Sequence, residues 1–294
     1  MIDNFFDKIF CYLAKSKAKN FVKKIISQNL TLELSATSRQ ETHQKVFEEM
    51  NFTSYKFEND KFDENINLKI KEADYILVSV PPISGEDIVI KNFKIPLKNI
   101  KAKWITYLSA TSVYGDHNGE WVNEKSETKP STLNGKNRLK AENDWRVFSK
   151  ENNLPLQIFR LSGIYSKQNN ILKRLKTGQA KIIKKEKHFF SRIHVEDIAN
   201  ILFISLKKFK TNEIFNISDD QPASQEEVAV YGALLLKMNK PNPLKIEDLE
   251  EGMLKDFYKE SKKVDNKKIK EFFNYKFIYP SYKEGLDNII NDFI

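Results

Sequence analysis

The stretch YLSATSVYGDHNGEW occupies Tyr107–Trp121, and after a polar loop the chain continues with NGKNRLKAE at Asn134–Glu142. The residues Trp104–Ser109, which lead into and open the first stretch, predict a buried strand that ends in a polar, serine-rich turn. The second stretch lies in a longer segment with helical periodicity, Leu133–Lys150. A strand, a turn and a helix in this order form one βα unit, and most of the chain repeats that pattern.

Short apolar or β-branched runs alternate with helical-period segments, which is typical of βα units around a parallel sheet. The run Asp74–Pro82 is apolar at nearly every position, as a strand covered on both faces should be, and Pro81-Pro82 ends it. The patterns predict strands near Lys8–Tyr12, Thr31–Ala36, Phe52–Tyr55, Tyr75–Val80, Trp104–Ser109, Leu156–Arg160 and Glu213–Ile217. They predict helices near Lys15–Gln28, Gln40–Met50, Glu64–Glu72, Leu133–Lys150, Ile171–Lys176, Val195–Lys208, Ser224–Lys237 and Gly285–Phe293.

These elements predict an α/β fold of two interleaved parts. Residues 1–160 are expected to form a Rossmann-like, doubly wound parallel sheet. Residues 161–294 are expected to form a smaller C-terminal α/β substrate lobe. The sequence shows no linker between the two, so we expect them to form one structural unit.

The composition is that of a folded globular protein, with 40% hydrophobic and 12% aromatic residues in 294. No run approaches the ~18 consecutive apolar residues that a membrane span needs. The N-terminal sequence MIDNFFDKIF has acidic residues where a signal peptide has basic ones. The single cysteine, Cys11, excludes an internal disulfide and suits a reducing compartment. We therefore expect a cytoplasmic protein with no membrane partner and no metal site.

The net charge of +9 raises the question of a nucleic-acid partner. Only six of the 49 basic residues are arginines, and the lysines are scattered along the whole chain. The densest basic runs, Lys173–Lys187 and Lys262–Lys270, are interrupted and lack interleaved aromatic residues. The distribution therefore indicates a solvated surface and an attraction for small anions, with no nucleic-acid partner.

The stretch at Tyr107–Trp121 resembles the active-site region of the extended short-chain dehydrogenase/reductase superfamily, in particular its NAD-dependent epimerase/dehydratase family. Four further segments match that family in order and spacing. They are FRLSGIY (Phe159–Tyr165), SRIHVEDIA (Ser191–Ala199), FNISDDQPAS (Phe215–Ser224) and YPSYKEGL (Tyr279–Leu286). The resemblance implies an NAD(P)-binding Rossmann half, a small substrate lobe and a small-molecule substrate such as a nucleotide sugar.

The resemblance places substituted residues at all three catalytic positions. The family uses a Ser or Thr together with Tyr-x-x-x-Lys, and here those positions hold Ala110, Asn134 and Arg138. An amide cannot exchange protons near neutral pH, and a guanidinium cannot deprotonate, although it can hold a ribose by charge. Tyr114 and His117, which lie in the VYGDHNGEW loop, are the remaining candidates for proton transfer. A surface-loop role is the alternative for His117.

The first βα turn departs from the family's glycine-rich pattern, with Leu13, Lys15 and Ala18 at the three glycine positions. Loss and retention of the dinucleotide both remain open. Ser38-Arg39, after the second strand, resembles the pocket in which arginine holds the 2′-phosphate of NADP. The resemblance implies cofactor contacts, for NADP or NAD, at Lys15, Ser38, Arg39, Ser79, Val80, Pro81, Ser109, Arg138 and Ser162.

The resemblance also implies a substrate pocket, with contacts from Thr111, Tyr114, Arg192 and His194. Two functional hypotheses follow. The first is an atypical NAD(P)-dependent epimerase or reductase whose proton chemistry has moved to Tyr114, His117 or bound water. The second is a catalytically silent relative that binds a nucleotide, a metabolite or a protein. Members of the family often pair through the helix that here carries Asn134 and Arg138, so a homodimer is also expected if that helix exposes an apolar stripe.

Overall fold

A computed structural model of the chain describes residues 7–12, 17–28, 32–47, 50–180, 182–240, 242–248, 252, 255 and 258–293. The chain folds as two compact units that interleave along the sequence. Unit 1 consists of the chain up to Ser109 together with Asn137–Arg160 and Ala199–Ile214. Unit 2 consists of Ala110–Lys136, Leu161–Ile198 and the chain from Phe215 onward.

The described strands are β1 (Asp7–Tyr12), β2 (Leu32–Ser38), β3 (His43–Phe47), β4 (Met50–Glu58), β5 (Lys61–Phe62), β6 (Tyr75–Val78), β7 (Trp104–Ala110), β8 (Trp121–Val122), β9 (Leu156–Leu161), β10 (Gly163–Tyr165), β11 (Arg192–His194), β12 (Glu213–Ile217) and β13 (Lys263–Val264). The described helices are α1 (Lys17–Ile26), α2 (Asn65–Glu72), α3 (Ile88–Lys98), α4 (Leu133–Glu151), α5 (Ile171–Lys176), α6 (Val195–Lys207), α7 (Gln225–Leu235), α8 (Lys267–Phe273) and α9 (Tyr282–Ile290). A 3-10 turn, Thr111–Tyr114, follows β7 directly.

Unit 1 is built on a sheet in the order β9-β7-β6-β1-β2-β4-β3, with β12 beside β9 and the short β5 paired to β4. The pairs β1–β2, β2–β4, β1–β6 and β6–β7 are parallel. The chain builds the sheet outward from β1 in one direction through β2 and in the other through β6. This doubly wound order confirms the predicted fold class, and its switch point lies between β1 and β6.

The central strands β6 and β7 are buried on both faces, as the apolar run Asp74–Pro82 predicted for β6. Ile76, Leu77 and Val78 of β6 are fully buried, and every residue of β7 from Trp104 to Ser109 is buried. Ile66 and Ile70 of α2 and Phe93 of α3 pack into the same core. Burial of these side chains is the main favourable contribution to the stability of this unit.

The helix predicted at Gln40–Met50 is wrong, because residues 43–47 form the edge strand β3. This strand pairs antiparallel with β4, and Phe47 lies opposite Met50 in the register of the pair. The segment is rich in Glu, Gln and Lys, which favour helices, so pairing with the neighbouring strand overrides local propensity. Partly buried and exposed residues alternate along β3, as expected for a strand. The helix-favouring composition of the segment made this alternation hard to recognise in the sequence.

Helix α3 was not predicted from the sequence. Asp87 caps it, since its carboxylate accepts hydrogen bonds from the backbone N–H groups of Val89 and Ile90. Pro96 lies inside the helix, and the backbone is non-helical at Phe93. A proline within a helical pattern normally indicates that the helix ends there. Pro96 therefore counts against a helix in a prediction from the sequence.

Unit 2 contains two short parallel pairs, β10–β11 and β8–β13. An apolar cluster lies among α5, α7 and α9, and includes Leu172, Val228 and Leu286. Gly285 of α9 lies where a β-carbon would come within 2.1 Å of the Tyr165 hydroxyl oxygen. That close approach lets Tyr165 pack against α9 and donate a hydrogen bond to the Ser281 carbonyl oxygen at 3.2 Å.

The exposed face of α4 does not carry the apolar stripe that would support a dimer. Leu133 and Val147 are 71% and 57% exposed, but they lie near opposite ends of the helix. The exposed positions between them are mostly polar or charged, and include Lys140 and Arg146. The oligomeric state therefore stays a prediction. Among the described residues, no helix combines the length and apolar character required to cross a membrane.

We expect Gly285→Ala to lower the free energy of unfolding by about 2 kcal/mol, because the new methyl group overlaps the buried Tyr165 ring. The measurement is urea denaturation of both proteins. Lys283→Ala, at an exposed position of the same helix, is the control and should change the value by no more than about 0.5 kcal/mol. Equal stability of the Gly285 variant and the parent would show that α9 can move away from Tyr165 at no cost.

Candidate functional site

Ser38 and Arg39 lie at the carboxyl end of β2, next to the switch-point strand β1. The Ser38 hydroxyl oxygen is buried and has no hydrogen-bond partner among the described residues. Arg39 follows in a bend and is exposed. An unpaired buried hydroxyl beside an exposed guanidinium is an arrangement that an anionic or hydroxyl-bearing ligand would satisfy.

The other predicted cofactor residues of unit 1 follow the adjacent strands. Ser79, Val80 and Pro81 come directly after β6, and Ser109 lies near the end of β7. The carboxyl ends of β2, β6 and β7 therefore present these residues at one edge of the sheet. The predicted contact at Lys15 lies outside the described residues.

The Ser109 hydroxyl is held by a buried ion pair. It donates to Glu142 Oε1 at 2.5 Å, and Glu142 in turn accepts from Arg160 Nη2 at 2.7 Å and from Arg160 Nε at 3.0 Å. Glu142 and Arg160 are only 1% and 4% exposed. The carboxylate therefore connects β7, α4 and β9, and in this state Ser109 does not offer its proton to a ligand.

Arg138, at the position of the family's lysine, is also engaged within unit 1. Its Nη1 atom donates to the Tyr107 hydroxyl oxygen and to the Leu108 carbonyl oxygen, each at 3.1 Å. Tyr107 is fully buried, and burial raises the pKa of its hydroxyl well above the ordinary value, against the opposing charge of Arg138. The guanidinium thus fastens α4 to β7, and Tyr107 stays protonated.

The other two triad positions provide no group for proton transfer. Ala110 ends β7 in an extended conformation, and Asn134 is exposed in the first turn of α4. Beside Asn134, Gly135 lies where a β-carbon would come within 2.8 Å of the Ser112 carbonyl oxygen. The start of α4 therefore packs closely on the turn that follows β7, and the exposed Asn134 there carries an amide.

Tyr114 is fully buried in unit 2, and its hydroxyl donates to Asn216 Oδ1 at 2.7 Å. Asn216 is held further, because its side-chain amide donates to the Asp265 carbonyl oxygen and its backbone N–H donates to the Glu124 carboxylate. Burial raises the pKa of Glu124. The predicted catalytic role of Tyr114 stays a prediction, and the contacts observed are those of a residue that braces β12.

His117 is partly buried, and its Nε2 atom lies 3.1 Å from the Tyr114 carbonyl oxygen and 3.2 Å from the Glu127 carbonyl oxygen. Because both neighbours are acceptors, Nε2 carries the proton. The backbone N–H of His117 donates to the Ser261 carbonyl oxygen. The ring therefore helps to close its own loop, and the predicted role in proton transfer stays untested.

Residues 260–264 form a segment that holds the VYGDHNGEW loop and the start of α4. Glu260 accepts from the backbone N–H and the hydroxyl of Ser131, and Lys262 donates to the Gly115 carbonyl oxygen and to Glu260. The backbone N–H of Ser261 donates to the Asp116 carboxylate. No sequence pattern predicts this role for the segment, since Ser131, Gly115 and Asp116 lie more than a hundred residues earlier in the chain.

Arg192 and His194, predicted to contact substrate, are buried in unit 2. Arg192 donates to the carbonyl oxygens of Phe190 and Ala223 and to the side chain of Gln225. His194 Nδ1 accepts from the backbone N–H of Glu196 at the start of α6, and burial lowers its pKa to about 4. Both side chains therefore support the local backbone, and their contact with substrate stays a prediction.

Thr111 and Ser162 retain hydroxyl groups that the described part of the protein does not use. Thr111 is partly exposed in the turn after β7, and no hydrogen bond of its hydroxyl is observed among the described residues. The Ser162 hydroxyl oxygen is buried without a partner there, while its backbone N–H donates to the Ile217 carbonyl oxygen. These two residues remain open for contacts with a ligand. No group of three or more His, Cys, Asp or Glu among the described residues could hold a metal ion.

Comparison with solved structures finds several that share this fold over nearly the whole chain. A functionally unknown conserved protein from Silicibacter pomeroyi is 28% identical, with a TM-score of 0.82 over 97% of this chain and 99% of that one. The dTDP-glucose 4,6-dehydratase from Bacillus anthracis, solved with NAD, is 17% identical, with a TM-score of 0.76 over 98% of this chain and 96% of that one.

The UDP-N-acetylglucosamine 4-epimerase from Bacillus cereus is 16% identical, with a TM-score of 0.74 over 97% of this chain and 98% of that one. The chain has the fold of the NAD-dependent epimerases and dehydratases. The predicted resemblance is thus confirmed at the level of the fold. No protein-family model matches the sequence, and no match was found among curated proteins.

We expect Glu142→Gln to lower the free energy of unfolding by about 3 kcal/mol, because it removes the carboxylate charge that is paired with the buried Arg160 guanidinium. Asp144→Asn removes an exposed partner of Lys140 on the same helix and is the matched control, with an expected change of about 0.5 kcal/mol. Denaturant titration followed by circular dichroism measures both. Similar losses in the two variants would mean that the buried pair contributes no more than the exposed one.

Proposed function

We propose that the chain binds a nicotinamide dinucleotide at the carboxyl ends of β1, β2 and β6, with NADP preferred over NAD. The observation that carries this proposal is the buried Ser38 hydroxyl, which has no hydrogen-bond partner among the described residues, next to the exposed Arg39. A buried hydroxyl without a partner costs about 1–3 kcal/mol, and a ribose or phosphate oxygen would supply the missing hydrogen bond. A guanidinium at the same place suits the 2′-phosphate that distinguishes NADP.

The residues of unit 1 fit a dinucleotide in part. Ser38 and Arg39 would hold the adenosine ribose and its phosphate, and Ser79, Val80 and Pro81 would line the cofactor after β6. Such a cofactor supplies a hydride acceptor or donor when it is bound. The structures of the dTDP-glucose dehydratase and of a UDP-glucuronic acid 4-epimerase from Bacillus cereus were solved with NAD, which supports the same class of ligand here.

We further propose that the tyrosine-dependent proton step is absent. Asn134 cannot exchange protons, Ser109 is bound to Glu142, and Arg138 is bound to Tyr107 and Leu108. The best-supported function is therefore a binding protein for a dinucleotide and a nucleotide sugar, without the family's hydride chemistry. The names of several solved structures, among them UDP-sugar epimerases, support the sugar nucleotide as ligand class.

The second candidate is an atypical epimerase or reductase in which His117 or a bound water handles the proton. The partial exposure of His117 favours this candidate, since Tyr114 is fully buried. Thr111 flanks Ala110, and no hydrogen bond of its hydroxyl is observed among the described residues; it would then orient the substrate oxygen. Both candidates bind a dinucleotide and a nucleotide sugar. Only the second candidate converts the sugar nucleotide to product.

Arg39→Ala should raise the dissociation constant for NADPH about tenfold to a hundredfold, because it removes hydrogen bonds between opposite charges. The dissociation constant for NADH should change by less than about threefold, since NADH lacks the 2′-phosphate. Calorimetric titration of both dinucleotides measures this difference. Arg146→Ala, which removes an exposed arginine from α4, is the matched control and should leave both constants unchanged. Absence of binding by either dinucleotide at millimolar concentration would overturn the proposal.

With NADP and a panel of UDP- and GDP-sugars, we expect no product during several hours, because no residue at the triad positions transfers a proton. Nuclear magnetic resonance of the sugar nucleotides detects epimers and dehydrated products directly. Product formation that persists in Tyr114→Phe and disappears in His117→Ala would establish the second candidate instead. If no protein forms product and either variant binds the sugar nucleotide more weakly than the parent, the first candidate stands. The VYGDHNGEW loop would then have a role in ligand binding.

A further inference from the structure

Lys56 lies near the carboxyl end of β4, beside a residue of the proposed dinucleotide site. In the parallel pair β2–β4, Lys56 is the register partner of Ser38. Two residues earlier, Ala36 is the partner of Ser54 in the same pair. Side chains alternate between the two faces of a sheet, so these four residues share one face. Ala36 and Ser54 are buried there, whereas the Lys56 side chain is 27% exposed. The strand pairing therefore places an ammonium group on the face that carries Ser38.

The segment that follows β2 closes over Lys56. The Thr42 hydroxyl accepts from the backbone N–H of Lys56 at 3.0 Å and donates to the Asp63 carboxylate at 2.5 Å. The Glu41 carboxylate forms an ion pair with the Lys56 ammonium group. Arg39 lies in the same segment and is exposed. The carboxyl ends of β2 and β4 therefore carry two cations, Arg39 and Lys56.

The two acids of this segment differ in how firmly they are held. Besides the Thr42 hydroxyl, Asp63 accepts from the backbone N–H and from the side-chain amide of Asn65, each at 2.9 Å. The Glu41 side chain is 82% exposed, and its carboxylate is held by Lys56. An ion pair with one largely exposed member contributes little to stability, because water solvates the separated carboxylate. Glu41 can therefore leave Lys56 at little cost when a stronger anion is present.

A phosphate monoester is a stronger partner for Lys56 than a carboxylate. It carries about two negative charges near neutral pH and presents three strong acceptor oxygens, whereas a carboxylate carries a single charge. The Arg39 guanidinium adds a fork of donors whose geometry matches phosphate. A ligand that places a phosphate at the ends of β2 and β4 therefore gains contacts with two cations and releases Glu41 to solvent.

We propose that Lys56 is the second cation of the subsite for the 2′-phosphate of NADP, and that Glu41 holds Lys56 until this phosphate displaces it. Lys56 and Glu41 extend the dinucleotide site proposed above, on which this inference rests. Glu41 then determines specificity as a competitor. NADPH has to displace it, whereas NADH has no phosphate at this position and leaves the ion pair intact.

Calorimetric titration of NADPH and NADH into the full chain and three variants tests both assignments. Lys56→Met removes the charge but keeps a long unbranched side chain, and should raise the dissociation constant for NADPH about tenfold. Lys56→Arg keeps the charge and should stay within about threefold of the parent. Glu41→Gln should lower the dissociation constant for NADPH about threefold to tenfold, because the competing charge is gone. The dissociation constant for NADH should change by less than about twofold in every variant.

The ion pair between Lys69 and Glu33 provides the matched control. Glu33 also belongs to β2, but it lies near the amino end of that strand. The Lys69 side chain is 24% exposed, close to the 27% of Lys56. Lys69→Met and Glu33→Gln therefore remove comparable charges away from the proposed subsite, and they should leave both dissociation constants unchanged.

Two results would overturn the assignment of Lys56 and leave the dinucleotide site in place. One is NADPH binding that Arg39→Ala weakens but Lys56→Met does not. The other is equal weakening of NADPH and NADH binding by Lys56→Met, which would indicate a structural role. A Glu41→Gln variant that leaves NADPH binding unchanged, or that weakens NADH binding, would overturn the assignment of Glu41. Failure of the parent protein to bind either dinucleotide would instead overturn the proposed site itself, and the roles of Lys56 and Glu41 with it.

Discussion

The buried Glu142 carboxylate is the interaction on which the sheet edge of unit 1 depends. A carboxylate that is 1% exposed requires strong partners, and here Arg160 and Ser109 satisfy it. These partners come from β7 and β9, so one side chain of α4 fixes the ends of two neighbouring strands. One turn earlier on the same helix, Arg138 binds the Tyr107 hydroxyl and the Leu108 carbonyl. The inner face of α4 is thus organised for structural contacts where the family places proton chemistry.

The VYGDHNGEW loop is also explained by structural requirements. Gly115 has a positive φ of 72°, and a β-carbon there would lie 2.0 Å from the Lys129 carbonyl oxygen. Ser261 accepts from the backbone N–H groups of both His117 and Gly119 through its carbonyl oxygen. Tyr114 braces Asn216 from inside the unit. A loop sequence that resembles the family's pattern therefore does not by itself imply catalysis, because every one of these residues has a local structural role.

Sequence reasoning located most of the fold because the strands of a covered parallel sheet are continuous apolar runs. The strand at Glu213–Ile217 and the helix at Ile171–Lys176 were predicted with the bounds that the structure shows. The error at β3 and the omission of α3 arose where strand pairing or a cap outweighed local propensity.

For the candidate site, the sequence predicts which positions belong to it but not the contacts that those residues make. The resemblance to the family identified Ala110, Asn134 and Arg138, but it could not show which neighbouring groups form hydrogen bonds with each other. Ser109 and Glu142 are 33 residues apart, and Tyr114 and Asn216 are 102 residues apart. Contacts at such separations depend on how strands are ordered in the sheet, which periodicity does not reveal. The contacts of segment 260–264 could not be predicted for the same reason, since they also join residues far apart in the sequence.

The distribution of unpaired groups separates binding from chemistry. At the proton-transfer positions the side chains are either absent, as at Ala110, or committed to internal partners, as at Ser109 and Arg138. At the end of β2 the opposite holds, since the Ser38 hydroxyl is buried beside an exposed Arg39 and has no hydrogen-bond partner in the described part of the chain. A buried polar group without a partner is costly, so it persists where a ligand supplies the missing bond. This asymmetry favours a protein that keeps a ligand site at the strand ends after its proton relay has been replaced by structural contacts.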